Sequence, residues 1–328
     1  MSLEPNAAFA GYRVIRTLGS GGMGRVYLVE HPHLGRLEAL KTISIAHGGD
    51  PQFTERFIRE ARTAASLKHA GIVTIYHYGI DGETPWFTMD FVEGHDLSAR
   101  PPLSGPELAA VVSRSADALD HAHRRDIVHR DIKPANIMIT RDEDTAALDR
   151  VVVMDFGIAR LISGAALTET STFIGTVQYA APEVLGGQSA TPRADQYSLA
   201  STAFELATGR RPFSAEHPGA LAVAKLRTPP LLPSQVSAAF APLDGCMTRA
   251  LAADPARRYS CCGDFARAFA TALARVPATA RPPTGSTTAS TRSDETPTSA
   301  QTTRVPPVAP IAAVGRPSPT PPPTREHT

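Results

Sequence analysis

A chain of 328 residues, 42% of them apolar, is long enough for one large or two ordinary domains and can bury a substantial core. With 33 basic against 32 acidic residues the net charge is +1, and no basic run of the kind that grips nucleic acid occurs, which argues against nucleic acid as a ligand. Cys246, Cys261 and Cys262 lack C-x-x-C spacing and a neighbouring histidine cluster in the sequence, so neither a zinc site nor a disulfide framework is expected.

The N-terminal MSLEPNAAFAGYR has no basic segment leading into an apolar core, and no apolar run approaches the ~20 residues needed to span a bilayer, so a cytoplasmic protein is expected. From Tyr12 to about Ile45, YRVIRTLG, RVYLVEH and LEALKTIS predict three strands of a small antiparallel sheet. Asp50 and Pro51 signal a helix start, and Phe53, Phe57, Ala61, Ala64 and Leu67 follow at helical spacing. IVTIYHYGI and TPWFTMDFV predict a second strand pair. After Gly94 the pattern turns helical. Ser104 and Glu107 form a capping box around Pro106, with Leu108, Val111, Val112, Leu119 and Ala122 on one face, and DQYSLASTAFELATG and GDFARAFATALARV continue the helical character to Val276. From Pro277 to Thr328 there are 12 Pro, 12 Thr and 5 Ser in 52 residues and no aromatic, the composition of a disordered tail.

Within LGSGGMGRVYLV, Gly19, Gly21 and Gly24 fit three devices: a dinucleotide turn, a Walker A loop and a glycine-rich flap over a nucleotide. A dinucleotide turn needs a helix after the last glycine, but RVYLVE reads as a strand; a Walker loop needs Lys then Ser or Thr, but Arg25 and Val26 stand there. What remains is a hairpin whose bare backbone lets amides approach phosphate oxygens, or a plain glycine-rich turn. Only four of the basic residues are lysines, Lys41, Lys68, Lys133 and Lys225, so each is a candidate for a place where a compact ammonium fits and a planar guanidinium does not. Lys41 ends an apolar strand, and helical spacing puts Glu60 on the inward face of the next helix; an inward cation and carboxylate in neighbouring elements predict an ion pair.

Three further stretches carry chemistry. IVHRDIKPANIMI holds Asp131 and Asn136 five residues apart behind His129 and Arg130; VVVMDFGIAR ends a strand on Asp155; GTVQYAAPE supplies Ala181, Pro182 and Glu183. In this order they are the signature set of protein kinases. Over about Gly11 to Val276 the chain resembles bacterial eukaryotic-like (Hanks-type) serine/threonine protein kinases, of the kind found in actinobacteria, whose GC-rich genomes would also explain the scarcity of lysine.

The resemblance implies an α+β, bilobal fold: a kinase domain at 11–276, with a small β-rich N-lobe at about 11–92 and a larger, mainly helical C-lobe at about 93–276, followed by the disordered tail at 277–328. It implies transfer of the ATP γ-phosphoryl group to Ser or Thr hydroxyls of protein substrates, with Mg²⁺ or Mn²⁺. Lys41 would hold the α and β phosphates, kept in place by Glu60, and Asp155 and Asn136 would ligate the metal. Asp131 would accept the hydroxyl proton, Lys133 would neutralise the γ phosphate, and Thr176 would bridge Asp131 and Lys133. Leu18, Gly19, Ser20, Gly21, Gly22, Met23 and Gly24 would form the flap, Val26 and Ala39 the roof and Met138 the floor of the adenine slot, with Met89 as gatekeeper and Asp90 to Val92 as hinge. Glu183 with Arg258 and the bracing acid Asp195 would be structural, while Arg130 would meet a phosphate on Thr168 or Thr170. Phosphothreonine-reading domains and a second kinase copy would be further partners. Two alternatives compete: a small-molecule phosphotransferase, which shares the fold and an H-x-D-x-x-x-x-N loop but would lack the GT…APE segment, and a phospho-dependent or pseudokinase scaffold, which would have lost Lys41, Asp131 or Asp155, all present here.

Overall fold

Alternation of apolar residues builds the first layer of the molecule. In a computed structural model, which describes residues 3–21, 24–43, 51–99, 101, 103–156 and 177–278, six strands form an antiparallel sheet. They are β1 (Ala8–Phe9), β2 (Tyr12–Gly21), β3 (Gly24–Glu30), β4 (Leu37–Ile43), β5 (Ile75–Asp81) and β6 (Thr84–Asp90), in the order β1-β2-β3-β4-β6-β5. Residues directly opposite each other share a face. Val26 lies opposite Lys41, and Ala39 opposite Met89, so the register gathers these four side chains on one face. Tyr27, Val29 and Leu40 take the other and pack with Leu3, Phe9, Tyr12 and Val14. Leu3 belongs to this packing, and its N–H donates to Tyr27 Oη at 3.3 Å.

Helix α1 (Pro51–Ala65) packs on β5 with Phe53, Phe57, Ala61 and Ala64 buried, the stripe its spacing predicts. The sequence turns helical because Ser104 and Glu107 close both halves of a capping box: Ser104 Oγ accepts the Glu107 N–H at 3.3 Å and Glu107 Oε2 accepts the Ser104 N–H at 2.7 Å. From that cap runs α2 (Gly105–His123), with Leu108, Val111, Val112, Leu119 and Ala122 buried. Strands β7 (His95–Asp96), β8 (Ile137–Arg141) and β9 (Leu148–Val153) form a second, three-stranded sheet. Six helices follow among the described residues: α3 (Pro182–Leu185), α4 (Pro192–Thr208), α5 (Pro218–Arg227), α6 (Pro233–Val236), α7 (Asp244–Ala250) and α8 (Cys262–Leu273). Nearly every residue of α4 is buried, so it is the central post against which α2 and α8 pack.

β9 fastens the two sheets' lobes together. Val73 N–H donates to Val153 O at 3.1 Å and Val153 N–H to Gly71 O at 2.8 Å, and one apolar core runs from Phe57 and Ala39 to Phe204 and Phe269. The ends of β8 and β9 are thereby held under the Lys41 face of the first sheet.

Candidate active site

The segment between α2 and β8 owes its shape to one carboxylate. Asp195, fully buried on α4, accepts the N–H of His129 at Oδ2 and of Arg130 at Oδ1, both at 2.8 Å. These bonds hold Arg130 at φ 73°, a left-handed conformation that a side chain other than glycine adopts only under restraint. His129 donates from Nε2 to the Met154 carbonyl at 2.7 Å and accepts the Asp131 N–H at Nδ1 at 3.3 Å, while its ring meets Phe156 edge-on at 4.6 Å. Asp155, also left-handed at φ 59°, is thus tied to the loop that carries Asp131.

Around Asp131 the donors are one-sided. Lys133 Nζ lies 2.8 Å from Oδ2, and Asn136 Nδ2 donates to the same oxygen at 3.0 Å and to the Asp131 carbonyl at 2.7 Å. With Oδ2 doubly engaged, Oδ1 is the oxygen left to accept a proton; among the described residues nothing bonds to it. Lys41 Nζ lies 2.5 Å from Asp155 Oδ2. Burial pushes the Asp155 pKa up, but the charge and hydrogen bond of Lys41, with the more distant charge of Lys133, outweigh it and hold the carboxyl below its ordinary range.

Lys41 thus faces Asp155, while Glu60, the acid expected beside it, lies 3.9 Å from Arg59. The buried stripe of α1 runs through Phe57, Ala61 and Ala64, and Glu60, one residue before Ala61, sits on its flank, half-buried.

Residues 12–268 match the protein kinase domain family. The chain is a protein kinase domain protein. It is similar to serine/threonine-protein kinase PknF of Mycobacterium tuberculosis, 44% identical over 278 residues, 82% of this chain and 58% of that one. PknJ of Mycobacterium bovis is 41% identical over 277 residues, 83% of this chain and 47% of its own. The chain therefore spans about half the length of the curated relatives it matches. The crystal structure of the Mycobacterium tuberculosis PknI kinase domain superposes with a TM-score of 0.65 at 36% identity, covering 83% of this chain and all of that one. The fold is the protein kinase fold, with a β-sheet N-lobe and a helical C-lobe.

The glycines where β2 meets β3 divide into two kinds. Gly24 has φ 139°, and a side chain there would collide with the Thr42 carbonyl of β4, so the strand pair itself demands it. At Gly19 and Gly21 a Cβ would meet nothing within 4 Å, so no described part of the protein requires their bareness. Ser20 is exposed beside them; Leu18, Val26 and Met138 are half-buried against the core, and Ala39 and Met89 lie buried side by side. Asp90 N–H donates to Thr74 O at 2.9 Å. Gly22, Met23, Thr168, Thr170 and Thr176 lie outside the described residues.

The donor set suits a hard cation. Asp155 offers carboxylate oxygens, and Asn136, whose amide nitrogen is engaged with Asp131, has only Oδ1 left as a ligand atom; oxygen-only sets favour Mg²⁺ over soft metals. A second group, Asp120, His123 and Cys262, brings three potential ligand atoms within 4.8 Å of one another. Its chemistry is different. Asp120 accepts the N–H groups of Cys262 and Gly263 at 2.9 Å each, capping α8, and His123 Nε2 lies 2.7 Å from Asp195 Oδ2. Burial pushes the Cys262 thiol well up, so it stays protonated, and the group is a structural brace.

Glu183 and Arg258 form a bidentate pair at 2.8 and 2.7 Å. The guanidinium also donates to the carbonyls of Ala252, Arg193 and Ala253, so a fully buried cation has its whole fork engaged. Sequence reasoning missed His123 and singled out Lys225 without giving it a role. The i, i+3 pairing of Asp120 with His123, and the rarity of lysine, were the available signals.

Proposed function

We propose that the chain transfers the γ-phosphoryl group of ATP to serine and threonine hydroxyls of proteins. The observation that carries this reading is the Asp131 carboxylate, with one oxygen held by Lys133 and Asn136 and the other open, beside the Lys41–Asp155 pair. Phosphoryl transfer has a loose, highly charged transition state, so positioning and charge neutralisation are what a protein contributes. Asp131 Oδ1 takes the acceptor's proton, Lys133 stands beside the transferred group, and Lys41 holds the more distant phosphates. Asp155 and Asn136 hold Mg²⁺, with Mn²⁺ as a substitute, and the metal when bound neutralises phosphate charge. Glu60 remains the candidate second acid for Lys41.

The remaining roles belong to the same reading. Leu18 to Gly24 cover the phosphates, Val26, Ala39 and Met138 enclose adenine with Met89 behind it, and Thr176 bridges Asp131 and Lys133. Thr168 and Thr170 are autophosphorylated, and Arg130 receives the phosphate. Phosphothreonine-reading domains and a second kinase copy are the partners this chemistry suits. The catalytic unit is residues 11–276, the Pro/Thr-rich remainder being a tail. No described helix is long and apolar enough to cross a membrane, and a cytoplasmic site suits free Cys246, Cys261 and Cys262. Against a small-molecule phosphotransferase stands the Ala181-Pro182-Glu183 segment anchored by Arg258. The test is transfer of label from γ-labelled ATP to generic acceptor proteins by the chain and its Lys41→Ala and Asp131→Asn variants. No acceptor labelling by the wild-type chain refutes the reading.

A further inference from the structure

Three of the four lysines lie in built surroundings and one, Lys68, is exposed. Lys41 and Lys133 belong to the site described above. Lys225, in the last turn of α5, is 1% exposed and belongs to nothing described so far.

Its ammonium donates to three main-chain carbonyls, Val177 at 3.0 Å, Gln178 at 2.8 Å and Ala180 at 2.8 Å. The carbonyl between them, Tyr179 O, accepts from Ser198 Oγ at 3.0 Å. Four consecutive carbonyls of an irregular segment are therefore each held by a side-chain donor. Tyr179 Oη is itself held, donating to Glu205 Oε2 at 2.6 Å. This segment follows Thr176 directly and leads into Ala181-Pro182-Glu183. Irregular backbone has no neighbouring strand to satisfy its carbonyls, so its position is as well defined as its donors are.

The choice of lysine is specific. An ammonium has three donors in a tetrahedral spread and can cap three converging carbonyls, whereas a guanidinium presents a flat fork suited to a carboxylate, as Arg258 does. No described carboxylate lies within ion-pair distance of Lys225; the carbonyl dipoles and the Tyr197 ring, 5.4 Å away, are what face its charge. Burying a cation without a counter-ion is costly. An apolar residue there would bury α5 more cheaply, as Leu221 does one turn earlier.

We propose that Lys225 is a positioning residue for the protein acceptor, clamping the Val177–Ala180 backbone into the surface on which the acceptor's polypeptide chain rests. This rests on the protein kinase reading. Lys225 touches neither ATP nor the reacting atoms, so its loss acts on acceptor binding and spares nucleotide binding.

The test uses the full chain with histone and casein as acceptors, kinetics being followed on the better of the two, and a fluorescent ADP analogue as nucleotide probe. Lys225→Met keeps length and removes every donor. Its acceptor KM rises at least about tenfold, since small misplacements of a substrate-positioning surface are amplified in rate, while analogue Kd stays within about twofold. Lys225→Arg keeps the charge but not the donor geometry, and its acceptor KM stays raised at least about threefold. An unchanged acceptor KM in either folded variant overturns the proposal, as does an equal loss of analogue binding. If Lys225→Met does not melt cooperatively, Lys225→Arg decides by the same ratio; if neither folds, Lys225 is structural and the proposal is wrong. A wild-type chain that labels neither acceptor refutes the kinase reading itself.

Discussion

His123 Nε2 stands 2.7 Å from Asp195 Oδ2, the oxygen that also accepts the His129 N–H and so shapes the loop carrying Asp131. Burial alone would lower the His123 pKa, but hydrogen bonds and charges from Asp120 and Asp195 raise it from 6.5 to about 9. A histidine whose pKa is higher folded than unfolded stabilises fully below the unfolded value and ceases to do so as pH rises through the folded one. Unfolding free energy is thus expected to fall by about 2–3 kcal/mol between pH 6.5 and 9.5 through this residue. Buried Lys225, pushed down to about 7, contributes a slope of opposite sign, so urea titrations across that range should show the His123 loss as the difference between the wild-type chain and His123→Gln. Parallel curves would remove His123 as the titrating group.

Asp131→Asn is expected to keep the loop, because an amide oxygen can still accept from Lys133 and Asn136, but not the base. Acceptor labelling from γ-labelled ATP should drop by roughly 10²- to 10⁴-fold, the usual contribution of a proton-transfer group. ADP-analogue affinity should be retained. Loss of both together would mean that the substitution had disturbed the site rather than the chemistry.

Much of this site was legible because its residues are named by letters at fixed spacing: Asp131, Lys133, Asn136 and Asp155 sit in local segments that keep their order in space. The capping box of Ser104 and Glu107 was legible for the same reason. The Lys41 pairing was not. Helical spacing placed Glu60 on the inward face and gave no sign of Asp155, which lies 114 residues from Lys41 along the chain. Strand β1 has only two residues, too few to show alternation. Lys225 acts on backbone carbonyls 45 to 48 residues earlier, and a carbonyl has no letter; only the scarcity of lysine pointed to it.

Because Asp155 and Asn136 present only oxygen ligands, transfer should depend on a hard divalent cation. Excess chelator is expected to lower acceptor labelling by at least about 10²-fold, and added Mg²⁺ to restore it, since neutralising phosphate charge is the larger part of catalysis in phosphoryl transfer. Asp155→Asn should respond weakly to the same Mg²⁺ addition. Labelling that persists in chelator would contradict the assignment of these two residues.

The Glu183–Arg258 pair is a separate test of how the helical lobe is held. Both side chains are buried, and Arg258 uses every part of its fork on Glu183 and on the carbonyls of Ala252, Arg193 and Ala253. Removing one partner leaves the other charged and uncompensated, so Glu183→Gln and Arg258→Met should each destabilise by about 3–5 kcal/mol in urea unfolding. Arg258→Lys should be nearly as harmful, because a point charge cannot reproduce a bidentate fork. The double variant Glu183→Leu with Arg258→Met leaves no stranded charge and is expected to be more stable than either single variant. If the losses simply added, the two residues would not be acting as a pair, and the anchor of Ala181-Pro182-Glu183 would have to lie in the carbonyl contacts of Arg258 alone.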